Sequence, residues 1–95
     1  MPAYVIVRSR VSDARRYQEY VAASTGAAAL HGGRFLARGG ATVALEGPEE
    51  TRRVVILEFP SLKHARDWYA SPQYQSAKAL RAGAAEAEFL AVEGV

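Results

Sequence analysis

Cysteine is absent from the 95 residues, and so is asparagine. Without cysteine there can be no disulfide, no thiolate metal site and no thiol nucleophile. No apolar run approaches the roughly 20 residues that a membrane-spanning helix needs. The start, Met1-Pro2-Ala3-Tyr4, has no basic stretch followed by an apolar one, so no signal peptide is visible. These absences predict a cytoplasmic protein with no membrane partner. Charge of one sign is also lacking. Twelve basic residues face ten acidic ones, for a net charge of +2. The basic residues are scattered, with no run longer than two. A nucleic-acid binder concentrates them on one face, so no nucleic-acid partner is expected.

What is present is a globular composition, 49% hydrophobic and 23% charged, which disfavours disorder. The length suits one domain, residues 1–95. A monomer of this size buries roughly 64% of its unfolded surface, which leaves a modest core. Ala3 to Arg10, with β-branched Val5, Ile6 and Val7, reads as a strand. Ser12 and Asp13 are good helix N-caps. Tyr17, Tyr20, Val21, Ser24 and Ala28 then recur at helical spacing, and Gly32-Gly33 ends the run. A second strand is expected over Arg34 to Leu45, interrupted by Gly39-Gly40. A turn over Glu46 to Thr51 leads into a third strand, Arg52 to Phe59, so the two form a hairpin. Ser61 caps a helix striped by Leu62, Ala65, Trp68 and Tyr69. Ser71-Pro72 breaks it and restarts it, with Tyr74, Ala77 and Leu80 as the next stripe. Glu86 to Glu93 is the last strand. The order is βαββαβ, the α+β ferredoxin-like arrangement, with a four-stranded antiparallel sheet and its helices on one face.

A sheet covered on one face should alternate apolar and polar residues. Three of these strands do not. Tyr4 and Ile6 oppose Val5 and Val7. Val55, Leu57 and Phe59 oppose Val54 and Ile56. Phe89 and Ala91 oppose Leu90 and Val92. The uncovered face would be a large apolar patch, which soluble monomers seldom expose. The same face of a second copy is the simplest cover, giving a two-fold homodimer. The plainer alternative is a partly apolar face shielded by loops.

Several stretches resemble one bacterial family: Gly32-Gly33-Arg34-Phe35-Leu36-Ala37-Arg38-Gly39-Gly40, Glu46-Gly47, Leu57-Glu58-Phe59-Pro60-Ser61, and Trp68-Tyr69 followed by Ser71-Pro72 and Tyr74. The family is domain of unknown function 1330. It belongs to the dimeric α/β-barrel superfamily, which also holds small monooxygenases, muconolactone-isomerase-like proteins and haem-dependent chlorite dismutases. The resemblance implies a ferredoxin-like fold and a dimer whose two sheets form one barrel. It implies no established activity.

Arg34 and Arg38, two and two apart around Leu36, are expected on one face of the second strand. They are either an anion site or structural ion pairs, with Glu58 as a partner for Arg38. Trp68, Tyr69 and Tyr74 straddle the helix break. They either line a pocket, with Arg81 a turn further on, or serve as core and dimer contacts. His31 suits a helix C-terminus, and His64 the first exposed turn of the next helix. Their spacing makes neither a metal site nor a haem motif, so no metal and no tightly bound cofactor is expected. The chain lacks the Arg-Asn pair of acylphosphatases, the Cys-x-x-Cys loop of metallochaperones and the aromatic strand signature of RNA-recognition motifs. The expectation is therefore a small dimeric protein that binds or transforms a small anionic or carbonyl compound. Arg38, Arg34, Tyr69, Tyr74, Trp68 and Arg81 are the ligand-binding candidates. Glu58 or His31 would move a proton if either faces the pocket. The alternative is a non-catalytic dimerisation or ligand-sensing module.

Overall fold

The computed structural model describes residues 1–95. In chain order it contains β1 (Ala3–Val11), α1 (Ala14–Leu30), β2 (Arg34–Arg38), β3 (Arg53–Phe59), α2 (Leu62–Ala70), α3 (Pro72–Leu80) and β4 (Ala85–Glu93). The strands form one sheet in the order β2-β3-β1-β4, with every neighbouring pair antiparallel. This is the βαββαβ order read from the sequence. The chain is a slab 16 Å thin across its shortest axis, the depth of one sheet and one layer of helices.

Local chemistry explains the boundaries. The Asp13 side chain accepts from the Arg16 amide and opens α1, and that helix continues through Gly26 to the cap at His31. Ser61 opens α2 by accepting from the His64 amide. The Ser71 hydroxyl does two jobs: it donates to the Trp68 carbonyl at 2.7 Å and accepts from the Tyr74 amide at 3.1 Å. One buried side chain thus ends α2 and starts α3, with Pro72 in the first turn, where its missing N–H costs nothing.

The second strand is shorter than its sequence suggests. It stops at Arg38, and residues 41–45 are outside the sheet with Val43 and Leu45 largely exposed. Gly39 turns at φ 73° after one last bond from its amide to the Val54 carbonyl. β2 is at the sheet edge and β3 begins only at Arg53, so residues 41–45 have no neighbouring strand to pair with. A second correction concerns faces. The β2–β3 register shifts between Phe35 and Ala37, leaving Leu36 unpaired in a bulge. Arg34 pairs with Glu58 but Arg38 with Val55, so the two arginines lie on opposite faces, not on one.

The covered face carries Ala3, Val5, Val7, Ser9, Val55, Leu57 and Phe59, all buried, against Tyr17, Tyr20, Ala27, Ala28, Ala65, Trp68, Tyr74 and Ala77 from the helices. The other face is bare. Ile56, Ile6 and Leu90 stand side by side across β3, β1 and β4, and Tyr4 sits beside Val92. Leu90 is 58% and Val92 48% exposed. Size scaling predicts about 5,350 Å² of surface for a 10.3 kDa monomer, whereas this chain exposes 6095 Å².

Charges close both ends of the apolar band. At one end Arg34 Nε donates to Glu58 at 2.7 Å. At the other, Arg52 binds Glu50 and Glu88, at 2.9 and 2.6 Å, and Arg8 binds Glu50 at 3.2 Å. Hydrogen bonds from the Arg52 side chain and amide hold the Glu50 carboxyl down at about 2, against an ordinary 4.5. A carboxylate that is harder to protonate when folded stabilises the folded chain above 4.5, and that contribution is lost as the pH falls through about 2. Thermal melts from pH 6 to pH 2 should therefore lose stability inside that window, and Glu50→Gln should flatten the loss.

Candidate functional site

The break between α2 and α3 gathers an aromatic cluster against the covered face. Ring centroids lie 4.6 Å apart for Trp68 and Tyr74, 5.0 Å for Phe59 and Trp68, and 5.0 Å for Tyr69 and Tyr74. Phe89 of β4 closes the cluster, 5.6 Å from Tyr69. Helical spacing sends Trp68 and Tyr69 to adjoining sides of α2, so the indole faces the core and the phenol faces β4.

Between α2 and β4 lies a groove of about 630 Å³. Its walls are Val5, Ala87, Phe89 and Ala91 from the sheet and Leu62, Ala65, Arg66, Trp68, Tyr69 and Ala70 from α2. The alanines make the room: Ala65 and Ala70 on the helix stand opposite Ala87 and Ala91 on the strand. The size falls within the range of small-molecule sites, which are mainly apolar with a few placed polar groups. Arg66 is the only charged residue in the wall, and Tyr69 adds a hydroxyl. The indole N–H of Trp68 is buried without a hydrogen-bond partner.

A second, much smaller void of about 20 Å³ lies between α1 and the sheet, with Trp68 and Phe89 as a wall shared with the groove. Tyr17 and the half-buried Arg38 and Arg53 also line it. Burial, and then the neighbouring Arg53 charge, push the Arg38 pKa below its usual value.

The six ligand-binding candidates therefore separate. Trp68 and Tyr69 line the groove. Arg38 belongs to the small void beyond Trp68. Tyr74 is fully buried behind the groove and shares a 3.0 Å hydrogen bond with Tyr20. Burial raises the pKa of both hydroxyls, most strongly that of Tyr74. Arg81 is 9% exposed and packs against the Tyr20 and Phe89 rings, 5.6 and 5.2 Å from their centroids. Arg34 is on the bare face with Glu58. Glu58 thus pairs with Arg34 rather than with Arg38, because the bulge turned Arg38 away, and it faces neither cavity. His31 caps α1, its backbone N–H donating to the Ala28 and Ala29 carbonyls, and it too faces neither cavity. His64 is exposed, its Nδ1 2.6 Å from the Ser61 hydroxyl. No three His, Asp or Glu side chains come together.

Three wall residues are not legible in the sequence as site residues: Phe89, Arg53 and Arg66, the groove's one charged side chain, which falls outside the apolar stripe of α2. Phe89 was seen only as a strand residue, yet it walls both cavities. Arg53 was not singled out at all. Its signal was parity: it alternates with Val55, Leu57 and Phe59, the buried side of β3.

The sheet order and the helix-side cavities define a ferredoxin-like α+β protein. The chain belongs to the family described as Domain of unknown function (DUF1330), which it matches over residues 2–95. Among curated proteins no sequence matches it. Among solved structures it is similar to the RPA0582 protein of unknown function from Rhodopseudomonas palustris. That likeness has 22% identity and a TM-score of 0.77, covering 99% of this chain and 82% of the other. It is also similar to SnoaB, a cofactor-independent oxygenase from Streptomyces nogalater, at 16% identity and a TM-score of 0.71, covering 99% and 93%. A dimeric ferredoxin-like protein of unknown function from Jannaschia matches at 17% identity and a TM-score of 0.71, covering 99% and 100%. At these identities the likeness is one of fold.

Proposed function

We propose that the protein is a homodimer, joined through its bare sheet face, that binds a small and largely apolar compound in the groove between α2 and β4. The groove itself carries the reading: about 630 Å³, walled by alanines and aromatics, with one arginine. A flat apolar body would lie between Ala87 and Ala91 on one side and Trp68 and Tyr69 on the other. An anionic or carbonyl group on it would reach Arg66. The groove contains no carboxylate, imidazole or thiol, so nothing in its wall is suited to general acid–base work near neutral pH. That favours binding over proton-transfer chemistry by the protein. The homodimer is supported by the apolar side chains Tyr4, Ile6, Ile56, Leu90 and Val92 on the bare face and by dimeric structural neighbours. A cysteine-free chain with no helix long and apolar enough to cross a membrane fits the cytoplasm.

The test is a dye titration. Anilinonaphthalene sulfonate, an apolar dye with one anionic group, should bind saturably, read in every variant from the rise in the dye's own fluorescence. In the wild type it should also quench the single tryptophan, Trp68. Ala91→Trp fills the groove from an exposed strand position, so the protein should fold normally and lose most of that binding. Equal binding by Ala91→Trp would put the dye elsewhere and defeat the reading.

A further inference from the structure

We infer that Arg38 and Arg53 form a second binding site, for the carboxylate of a small organic acid, at the mouth between α1 and the β2–β3 edge. The inference is independent of the groove.

Neither arginine has an acidic partner. The five ion pairs of the chain involve Arg8, Arg34, Arg52 (twice) and Lys63. Both arginines are half-buried and line the same small void, with Arg38 paired to Val55, two residues from Arg53 on the same side of β3, and the Arg53 charge helps to lower the Arg38 pKa. Two like charges held together without a counter-ion are unfavourable, and an anion between them would relieve that cost. The fold also holds the pair in place. The bulge at Leu36 turns Arg38 onto the helix side, where its Nη2 donates to the Val21 carbonyl at 3.1 Å and to the Thr25 hydroxyl at 2.6 Å. The guanidinium lies over the Phe35 ring, 3.9 Å from the centroid. Arg53 Nη1 donates to the Tyr17 hydroxyl at 3.2 Å. A Cβ at position 39 would stand 2.8 Å from Arg53 Nε, so glycine there leaves the space that the guanidinium occupies.

Only one nitrogen of each guanidinium is engaged, so each keeps two others with no protein partner. That is the donor supply a carboxylate uses when it bridges two arginines. The surroundings select an organic acid over inorganic phosphate. Phe35, Val21 and Val55 line the small void between the arginines and the core. A void of about 20 Å³ takes no ring, so the acid's head is held at the mouth and its tail lies along Phe35 and α1.

The test follows the arginine side-chain N–H resonances while hexanoate, hexanol and inorganic phosphate are titrated separately at constant ionic strength. Hexanoate should shift the Arg38 and Arg53 signals saturably, and bind at least about tenfold tighter than either of the others. Arg38→Gln and Arg53→Gln should each weaken hexanoate by about tenfold or more. Arg34→Gln, on the opposite face, should not change it, and neither should Ala91→Trp in the groove. Arg53 makes one side-chain hydrogen bond in the fold, so Arg53→Gln decides the matter if Arg38→Gln loses its hold on α1. Hexanoate that leaves both signals unmoved overturns the site. So does unchanged binding in Arg53→Gln. Phosphate or hexanol binding as tightly as hexanoate overturns the assignment to an organic acid.

Discussion

Aspartate at Leu57 should leave no folded protein, whereas aspartate one residue earlier, at Ile56, should leave a folded protein of half the mass. The two positions are neighbours on β3 with opposite fates. Leu57 is 2% exposed, on the covered face between Val5 of β1 and Phe35 of β2. Truncating such a leucine costs about 2–5 kcal/mol, and an unpaired buried carboxylate adds several more. A domain of this size has about 5–15 kcal/mol in total. Ile56 points to the other side, between Ile6 and Ala37, where no helix covers it. A charge there stays in water as long as no partner approaches. Circular dichroism should show Leu57→Asp unfolded and Ile56→Asp close to native. Light scattering should find Ile56→Asp monomeric. An Ile56→Asp variant that stays dimeric would move the interface off this face.

Gly33→Ala should be the most damaging single-methyl change in the chain. A Cβ there would stand 2.5 and 2.7 Å from Phe59 Cε1 and Cζ, and 3.0 Å from the Ala28 carbonyl. Phe59 is 1% exposed and stacked on Trp68, so its ring has nowhere to go. Overpacking of this kind costs about 1–3 kcal/mol. That corresponds to about 4–8 °C of melting temperature for each kcal/mol in a domain this small. Phe59→Ala should cost more, about 3–5 kcal/mol, by opening a cavity under the indole. The informative variant is the double one. Gly33→Ala with Phe59→Leu should cost less than the sum of the two single changes, because the smaller side chain makes room for the methyl. Strict additivity in thermal melts would mean that the clash is relieved by backbone movement instead.

Much of the fold could be read from the sequence because its signals are local. Ser71-Pro72 carries its own reason to stop one helix and start another, and the structure uses both residues for that purpose. Apolar residues on both parities of β1 and β3 foretold a sheet with two apolar faces, although not which one the helices cover. The misreadings arise where structure depends on a distant partner. Residues 41–45 have strand-like composition, but a strand needs a neighbour and β3 starts too late to supply one. The bulge at Leu36 exists only relative to β3, so no pattern within β2 revealed that Arg34 and Arg38 would part. For the site, Trp68 and Tyr69 were legible as aromatics beside a break. The groove itself was not, because it is made by four small residues, Ala65, Ala70, Ala87 and Ala91, from two elements far apart in the chain. Arg53 needed the register to bring it beside Arg38.

The proposed division of labour puts a second copy on the bare face of the sheet and the ligand on its helix side. Gel filtration with light scattering on the wild-type protein tests this most directly. A mass of twice 10.3 kDa at micromolar concentration is the predicted result. A mass of 10.3 kDa would leave the bare face unpartnered and contradict it.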